Sequence, residues 1–224
     1  MNNSRRERTR MLVMLALFTA IAYLSIFIVN FKVLFLTFDI KNVFITIAAM
    51  IYHPLVGVLV SFIAALIEFI TMPETGFYGF VMNFISSASF AFVAAWIYKR
   101  QKTLIGSYMA LGLAAVVSTA VMMVANLFIT PFYMGVTMSE VASKIPTIFF
   151  PFNFIKCIVN AALVLVLYKP ISLIMSRAGV VKKDTGSRYF VKNTLLTLVI
   201  AFVLLAVSLT VFFVILGGQV DFGS

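Results

Sequence analysis

Three polar side chains recur at helical spacing inside a strongly apolar stretch of the chain. Asn153, Lys156 and Asn160 stand at positions i, i+3 and i+7 in the segment 151–168, so on a helix they share one face. A charge at membrane depth costs about 2.5 kcal/mol or more, so it usually lines a cavity or meets a partner. This face could therefore form one wall of a small-molecule binding site. The alternative is a lysine that extends to the membrane interface and two asparagines that bond neighbouring helices.

The composition is that of a membrane protein with several spans. Of 224 residues, 63% are hydrophobic and 11% are charged, and the mean hydropathy is +1.12. The net charge of +10 comes from short basic clusters between apolar runs, which is typical of cytoplasmic loops rather than of a nucleic-acid surface. Cys157 is the only cysteine, which excludes an intramolecular disulfide, and its apolar neighbours indicate a buried side chain.

The elements that position the polar face begin with an apolar run at 11–29. It follows a basic cytoplasmic N-terminus at 1–10 and is predicted as the first membrane helix, not a cleaved signal peptide. The next apolar region, 43–71, is too long for one ordinary span and too short for two, since about 20 residues cross the hydrocarbon core. His53 and Pro54 lie inside it, and proline disfavours the helical conformation in the preceding residue. We therefore expect two short helices that turn back at this pair.

The distribution of basic residues favours this turn. Basic clusters follow the apolar spans 77–98 and 146–168, and the span 104–129 crosses between them. If the chain turns back at His53, both clusters and the N-terminus lie on one side, with most of the 17 Lys and Arg residues. The positive-inside rule then makes that side the cytoplasm.

The predicted fold is an all-α integral membrane protein. A six-helix substrate-binding membrane domain is expected at 11–170, followed by a basic cytoplasmic loop at 171–192. The region 193–224 is predicted to contain one additional transmembrane helix, formed by the apolar run 193–216.

In this topology the polar residues beside or within the spans gather at the outer ends. Lys41, Glu68 and Lys156 are possible pairing partners there, in a pocket open to the outside. The outer segment 30–42 is expected to be a loop. The alternative for Glu68 is a helix-end carboxylate that reaches outer water, and for Asn83 it is hydrogen bonding between helices. The candidate binding residues are Asp39, Lys41, Glu68, Tyr78, Asn83, Asn126, Asn153 and Lys156.

Two outer segments could cover such a pocket. The loop 71–80 contains Pro73 and Gly76, which break helices, followed by aromatic side chains such as Tyr78, which can stack on a ligand. Anchoring at the membrane interface is the alternative for each ring. The second segment runs from 130 to 146 and could close over the site from the other side.

Sequence signatures of other functional classes are missing. The chain has no Gly-x4-Gly-Lys-Ser/Thr loop, no Gly-x-Ser-x-Gly motif and no His/Cys metal cluster, so neither an enzyme nor a resident cofactor or metal is expected. A channel would show a filter-like repeat, and a self-contained secondary transporter would show two related halves. A structural or assembly membrane protein without a ligand stays open as the alternative to a small-molecule binder.

An ordered set of motifs resembles the substrate-binding S components of energy-coupling factor (ECF) vitamin transporters, above all the riboflavin-binding type. The motifs span about 8–170. They are the Ala16/Ala20 spacing on the first helix, Leu36-Thr37-Phe38-Asp39, Pro54-Leu55-Val56-Gly57-Val58, Gly79-Phe80-Val81-Met82-Asn83-Phe84, Val121-Met122-Met123-Val124-Ala125-Asn126 with Pro131-Phe132-Tyr133, and Pro151-Phe152-Asn153-Phe154-Ile155-Lys156. The resemblance implies a six-helix S component with an extracellular vitamin pocket. Its partners would be an ECF transmembrane coupling protein and two cytoplasmic ATPases.

The resemblance also implies roles for individual residues. The Asn-x-x-Lys of the last core helix and the asparagine of the fifth helix would contact a flavin, which here are Asn153, Lys156 and Asn126. The small-residue face at Ala16 and Ala20 would meet the coupling protein while the whole bundle tilts in the membrane.

Two features depart from the family pattern, namely the seventh helix and Lys41, which follows Asp39. An extra cation would suit a carboxylate ligand such as pantothenate, whereas the abundance of aromatic residues would suit a flavin ring. S components for pyridoxine or pyrimidine precursors look alike at this level. Riboflavin is the favoured ligand.

Overall fold

The chain is predominantly helical, as the sequence predicts. The computed structural model describes residues 3–33, 36–72, 76–179, 199, 201–204, 206, 207 and 210. In chain order the elements are α1 (Asn3–Ile28), β1 (Asn30–Val33), β2 (Leu36–Asp39), α2 (Lys41–Ile51), α3 (Pro54–Thr71), α4 (Gly76–Arg100), α5 (Leu104–Met134), α6 (Met138–Lys144), a π-helical segment (Ile145–Phe149) and α7 (Phe150–Arg177).

Five stretches of the described residues are long and apolar enough to cross a membrane. They are Arg8–Ile28, Pro54–Thr71, Gly76–Arg100, Ile105–Met134 and Met138–Arg177. Large apolar side chains such as Leu24, Phe27 and Ile70 are exposed on them, as side chains facing lipid are. The chain is therefore a multi-pass membrane protein.

The short helix α2 lies at the centre of the bundle. Its 11 residues span only about 16 Å, at roughly 1.5 Å per residue, so it does not cross the membrane alone. It contacts α1, α3, α4 and α7, and Val43, Ile45 and Ile47 are fully buried. The helix is therefore enclosed by its neighbours, and α7 is one of them.

The chain turns back between α2 and α3 at the predicted pair. His53 caps α3, because its Nδ1 accepts a hydrogen bond from the backbone N–H of Leu55 at 3.3 Å. Gly57 lets α3 approach α2 closely, since a Cβ there would lie 2.6 Å from that of Ala49 and 3.1 Å from that of Ala91. The predicted hairpin of two helices is present.

The basic clusters meet at one end of the bundle. Lys99 Nζ donates to the carbonyl of Tyr52, so the α2–α3 turn lies beside the C-terminal end of α4. The rings of Tyr98 and Tyr168 pack edge to face at 5.4 Å, which brings the last part of α7 to the same end. Arg10 of α1 donates to the carbonyl of Gly179 at 3.1 Å. Up to residue 179, the last described residue on this side, the grouping predicted from charge is present in the fold; the basic residues at 180–192 lie outside the described residues.

The segment 30–42 differs from its prediction as a loop. Strands β1 and β2 form an antiparallel pair in which Asn30 faces Asp39 and Phe31 faces Phe38. The all-α fold class is correct for the spans but omits this two-stranded sheet. This segment is not helical, so its backbone N–H and C=O groups have no partners within a helix. The pairing of the two strands supplies those partners.

Two helices continue beyond their predicted ends and through a proline. Pro131 lies inside α5, and Pro170 lies inside α7, which continues to Arg177. Membrane helices tolerate proline because neighbouring groups satisfy the freed carbonyls. Part of the loop predicted at 171–192 is therefore helical, and 180–192 lie outside the described residues. The described residues between 199 and 210 are helical, but most of the predicted seventh helix lies outside the described part of the chain.

Candidate functional site

The polar face of α7 points into the bundle. Asn153, Lys156 and Asn160 are all buried, and Lys156 is only 6% exposed. Pro151 stands in the first turn of α7, directly after the π-helical segment. A lysine that extends to the membrane interface would be exposed, so that alternative does not hold for Lys156.

Lys156 binds the strand β2 instead. Its Nζ donates to Asp39 Oδ2 at 2.8 Å and to the carbonyl of Thr37 at 2.9 Å. One turn further along, Asn160 Nδ2 donates to the carbonyls of Asp39 at 3.4 Å and Lys156 at 2.8 Å. The ring of Phe38 packs edge to face on that of Phe152 at 6.3 Å. The β1–β2 hairpin is therefore joined to α7 by both polar and apolar contacts.

A second buried ion pair lies next to the first. Lys41 Nζ is 2.5 Å from Glu68 Oε2 and 3.6 Å from Asp39 Oδ2, and Asn83 Nδ2 donates to Glu68 Oε1 at 2.8 Å. Glu68 is only 4% exposed, which contradicts the alternative of a carboxylate in outer water. We refer to Asp39, Lys41, Glu68 and Lys156 as the charge network.

The charge network is balanced. It contains two ammonium groups and two carboxylates, so its formal charges cancel. Buried charges cost several kcal/mol each unless partners and hydrogen bonds offset the loss of water, and this arrangement supplies both. It connects β2 and the start of α2 to α3 and α7, and through Asn83 also to α4.

Asp39 is the centre of the network. It lies in the hairpin, outside the spanning helices. Burial alone would raise the pKa of its carboxyl group, but the ammonium groups of Lys156 and Lys41 outweigh burial and hold the pKa below its usual value. The backbone N–H of Lys41 adds a hydrogen bond to Oδ1 at 3.2 Å. Asp39 is therefore an anion at neutral pH.

Two predicted site residues, Asn126 and Asn153, make their contacts apart from the charge network. Asn126 Nδ2 donates to the carbonyl of Met122 at 2.8 Å, and its Oδ1 accepts from Thr130 at 3.1 Å. Asn153 Nδ2 donates to the carbonyl of Phe149, also at 2.8 Å. The Asn126 bonds lie within α5, and the Asn153 bond reaches the last residue of the π-helical segment that precedes α7. Both amides are therefore fixed in orientation by the backbone one turn before them or a side chain one turn after.

Tyr78 joins the two outer segments that were predicted to cover the site. Its ring centroid lies 6.1 Å from that of Tyr133 at the end of α5. Gly76, with φ of 58°, starts α4 in a conformation that favours glycine. Residues 73–75 of the predicted covering loop lie outside the described residues.

Two groups at this site were not among the predicted binding residues. Asn160 was recognised on the polar face of α7, but its bond to the Asp39 carbonyl was not. Its Oδ1 is buried without a hydrogen-bond partner in the described structure. The carbonyl of Thr37 is a backbone group, so no residue type in the sequence could indicate it. Ala16 and Ala20 of α1, which were predicted to contact a partner, are exposed.

The site offers an ammonium group, carboxamides and backbone carbonyls at the end of the bundle where the β1–β2 hairpin lies. Such groups orient a small polar molecule by hydrogen bonds, and they include no activated nucleophile. Among the described residues no group of three or more His, Cys, Asp or Glu could hold a metal ion. The chemistry is that of binding.

Comparisons with known proteins agree with this chemistry. A family model described as "ECF transporter, substrate-specific component" matches residues 10–168. The riboflavin transporter RibU of Staphylococcus aureus (strain TCH60) is 27% identical over 190 aligned residues, which cover 79% of this chain and 100% of that protein. A solved structure described as "Structure and mechanism of the S component of a bacterial ECF transporter" superposes with a TM-score of 0.64 at 27% identity. It covers 76% of this chain and 99% of that one.

Proposed function

This chain belongs to the substrate-specific components of ECF transporters, and from that premise we propose that it captures riboflavin at the outer face of the membrane. The family consists of transporter subunits rather than enzymes. The resemblance noted in the sequence implies a vitamin as the substrate. The observation that carries the choice of riboflavin is the similarity to a riboflavin transporter along that protein's full length.

We place the flavin against the polar face of α7. Asn153 and Lys156 would bind it there, Asn126 would contact it from α5, and the hairpin around Asp39 would form the facing wall. An isoalloxazine ring has carbonyl oxygens and an imide N–H, which ammonium and carboxamide groups can bind directly. Tyr78 lies near the outer rim, where an aromatic ring can pack on a flavin.

The balanced charge network favours a ligand without net charge. Lys41 had suggested a carboxylate ligand such as pantothenate. However, it already lies 2.5 Å from Glu68 and 3.6 Å from Asp39, which together neutralise it. A carboxylate placed here would add an unpaired negative charge at a buried site, at a cost of several kcal/mol. Riboflavin carries no net charge at neutral pH and avoids this cost.

We also propose how the subunit sits in its transporter. The basic end of the bundle, with the N-terminus, would face the cytoplasm according to the positive-inside rule. The exposed small residues Ala16 and Ala20 would contact the transmembrane coupling protein, since small residues allow two helices to approach closely. Two cytoplasmic ATPases would supply the energy through that protein. Membrane lipid surrounds the rest of the bundle, and no nucleic acid is involved.

A titration of purified protein tests the function. The protein is solubilised in detergent, freed of bound ligand and titrated with riboflavin while flavin fluorescence is followed. We expect saturable quenching that excess pantothenate or pyridoxine does not reverse. Protein purified from cells should also be yellow, because it carries flavin with it. Binding of pantothenate in place of riboflavin would contradict the proposal.

A matched control separates the site from general effects of substitution. Lys156→Ala and Asn153→Ala should weaken riboflavin binding, whereas Lys102→Ala should not. Lys102 is an exposed lysine between α4 and α5, at the basic end of the bundle and outside the proposed site. If all three variants bind riboflavin as the parent does, the pocket has been placed wrongly.

A further inference from the structure

We propose that Glu68 is a positioning residue for Lys156, acting through Lys41 and Asp39, and that Glu68 and Lys41 do not touch the ligand. This inference rests on the proposed function only in its affinity test. Both residues had been candidates for ligand contact because they are charged and lie beside the outer ends of the helices.

The geometry shows a competition for one oxygen atom. Lys156 Nζ and Lys41 Nζ both face Asp39 Oδ2, at 2.8 Å and 3.6 Å. The shorter distance is a charged hydrogen bond, whereas the longer one exceeds hydrogen-bond range. Lys41 is kept from closing that gap because Glu68 Oε2 holds its ammonium group at 2.5 Å. Glu68 thereby leaves Asp39 Oδ2 to Lys156.

Glu68 is itself fixed in place. Asn83 of α4 donates to its other carboxylate oxygen at 2.8 Å, and Glu68 and Lys41 are 4% and 2% exposed. Both oxygens of the carboxylate are therefore engaged within the protein. A ligand could reach this pair only by breaking a buried ion pair, which costs about 3–5 kcal/mol when one partner is left alone.

Removal of the Glu68 charge should redirect Lys41. In Glu68→Gln, the Lys41 ammonium keeps its charge but loses its carboxylate, and Asp39 is the nearest remaining anion. Lys41 then shares Asp39 Oδ2 with Lys156, and the two ammonium groups repel each other. We expect Lys156 to leave its position and riboflavin affinity to fall by about 10-fold or more, which equals about 1.4 kcal/mol.

A second substitution should restore the site. Lys41→Met in the Glu68→Gln background removes the competing ammonium group and keeps an unbranched side chain out to the ε position, so the charges balance again. We expect its dissociation constant for riboflavin to lie within about 3-fold of the parent value, a difference of about 0.6 kcal/mol. Lys102→Met is the control, since Lys102 is an exposed lysine between α4 and α5, at the basic end of the bundle, and should leave affinity unchanged.

Thermal unfolding without ligand tests the same claim independently of riboflavin. Glu68 and Lys156 have no contact with each other in the network, yet Glu68→Gln and Lys156→Met should be non-additive. The Glu68→Gln/Lys156→Met variant should unfold at a higher temperature than the sum of the two single effects implies, because Lys41 then pairs with Asp39. In a Lys41→Met background this coupling should largely disappear.

Each outcome decides the proposal. Restored affinity in Glu68→Gln/Lys41→Met together with coupling that depends on Lys41 would support it. If Glu68→Gln/Lys41→Met binds riboflavin as weakly as Glu68→Gln, Lys41 and Glu68 would instead be assigned to direct ligand contact. If Glu68→Gln does not fold, the double variant alone still decides, since loss of binding in a folded protein overturns the inference. If the parent binds no riboflavin, the proposed function fails, and the unfolding measurements still test the positioning.

Discussion

Lys156→Met is the substitution whose effect can be worked out most completely. The side chain stays unbranched out to the ε position but loses the ammonium group that donates to Asp39 Oδ2 and to the Thr37 carbonyl. An ammonium group has three N–H donors, so these two bonds leave a third for the ligand. A hydrogen bond to a charged group contributes about 1.5–3 kcal/mol, so riboflavin affinity should fall about 10- to 150-fold.

The same substitution should also destabilise the protein without ligand. Asp39 would keep only Lys41, at 3.6 Å, as its charged partner. Loss of one member of a buried ion pair costs about 3–5 kcal/mol, so thermal unfolding should shift to lower temperature. Asp39→Asn in the Lys156→Met background removes the uncompensated anion and should recover part of that stability.

Affinity and stability should therefore separate in the double variant. Asp39→Asn/Lys156→Met should be more stable than Lys156→Met but should still bind riboflavin weakly, because the ligand's donor is missing. Fluorescence titration and thermal unfolding of the same preparations measure both quantities. If Lys156→Met binds riboflavin as tightly as the parent, or if the double variant recovers affinity, the reasoning about Lys156 is refuted.

Further predictions follow from other contacts. Gly57→Ala should lower the free energy of unfolding by about 1–3 kcal/mol, because its Cβ would meet Ala49 at 2.6 Å. Gly112→Ala, where nothing lies within 4 Å, should be neutral or stabilising, and equal effects at the two sites would contradict the packing argument. Because the pKa of Asp39 is lowered, its stabilising effect should persist above the unfolded-state value of about 3.9 and disappear as pH falls through the folded-state pKa. Unfolding scans between neutral and acid pH should show this loss in the parent but not in Asp39→Asn. Ala16→Trp/Ala20→Trp should bind riboflavin normally in detergent but abolish its uptake by cells that contain the coupling protein and ATPases. Normal uptake would exclude this face of α1 as the contact surface.

The sequence predicted the main course of the chain because its strongest signals are local. His53 and Pro54 interrupt an apolar region that is too long for one membrane span and too short for two. The positions of the basic clusters favoured a turn there. The contact between Lys99 and the Tyr52 carbonyl agrees with that interpretation. The ends of α5 and α7 were predicted less well, since Pro131 and Pro170 look like helix breakers but are tolerated inside membrane helices.

The pairing within the site depended on distances that no local pattern contains. Lys156 and Asp39 are separated by 117 positions, and the hairpin that brings them together was predicted as a loop. Two four-residue strands are too short to give a clear alternation of apolar and polar side chains. Lys41 and Glu68 were recognised as possible partners, but only the packing of α2 against α3 shows that they neutralise each other.

A structure of the purified protein with riboflavin tests the central claim most directly. We expect the flavin ring between α7 and the hairpin, with a ring atom about 3 Å from Lys156 Nζ and the Lys41–Glu68 pair intact beside it. A flavin bound away from the Asn153–Lys156 face, or one that inserts between Lys41 and Glu68, would contradict the account.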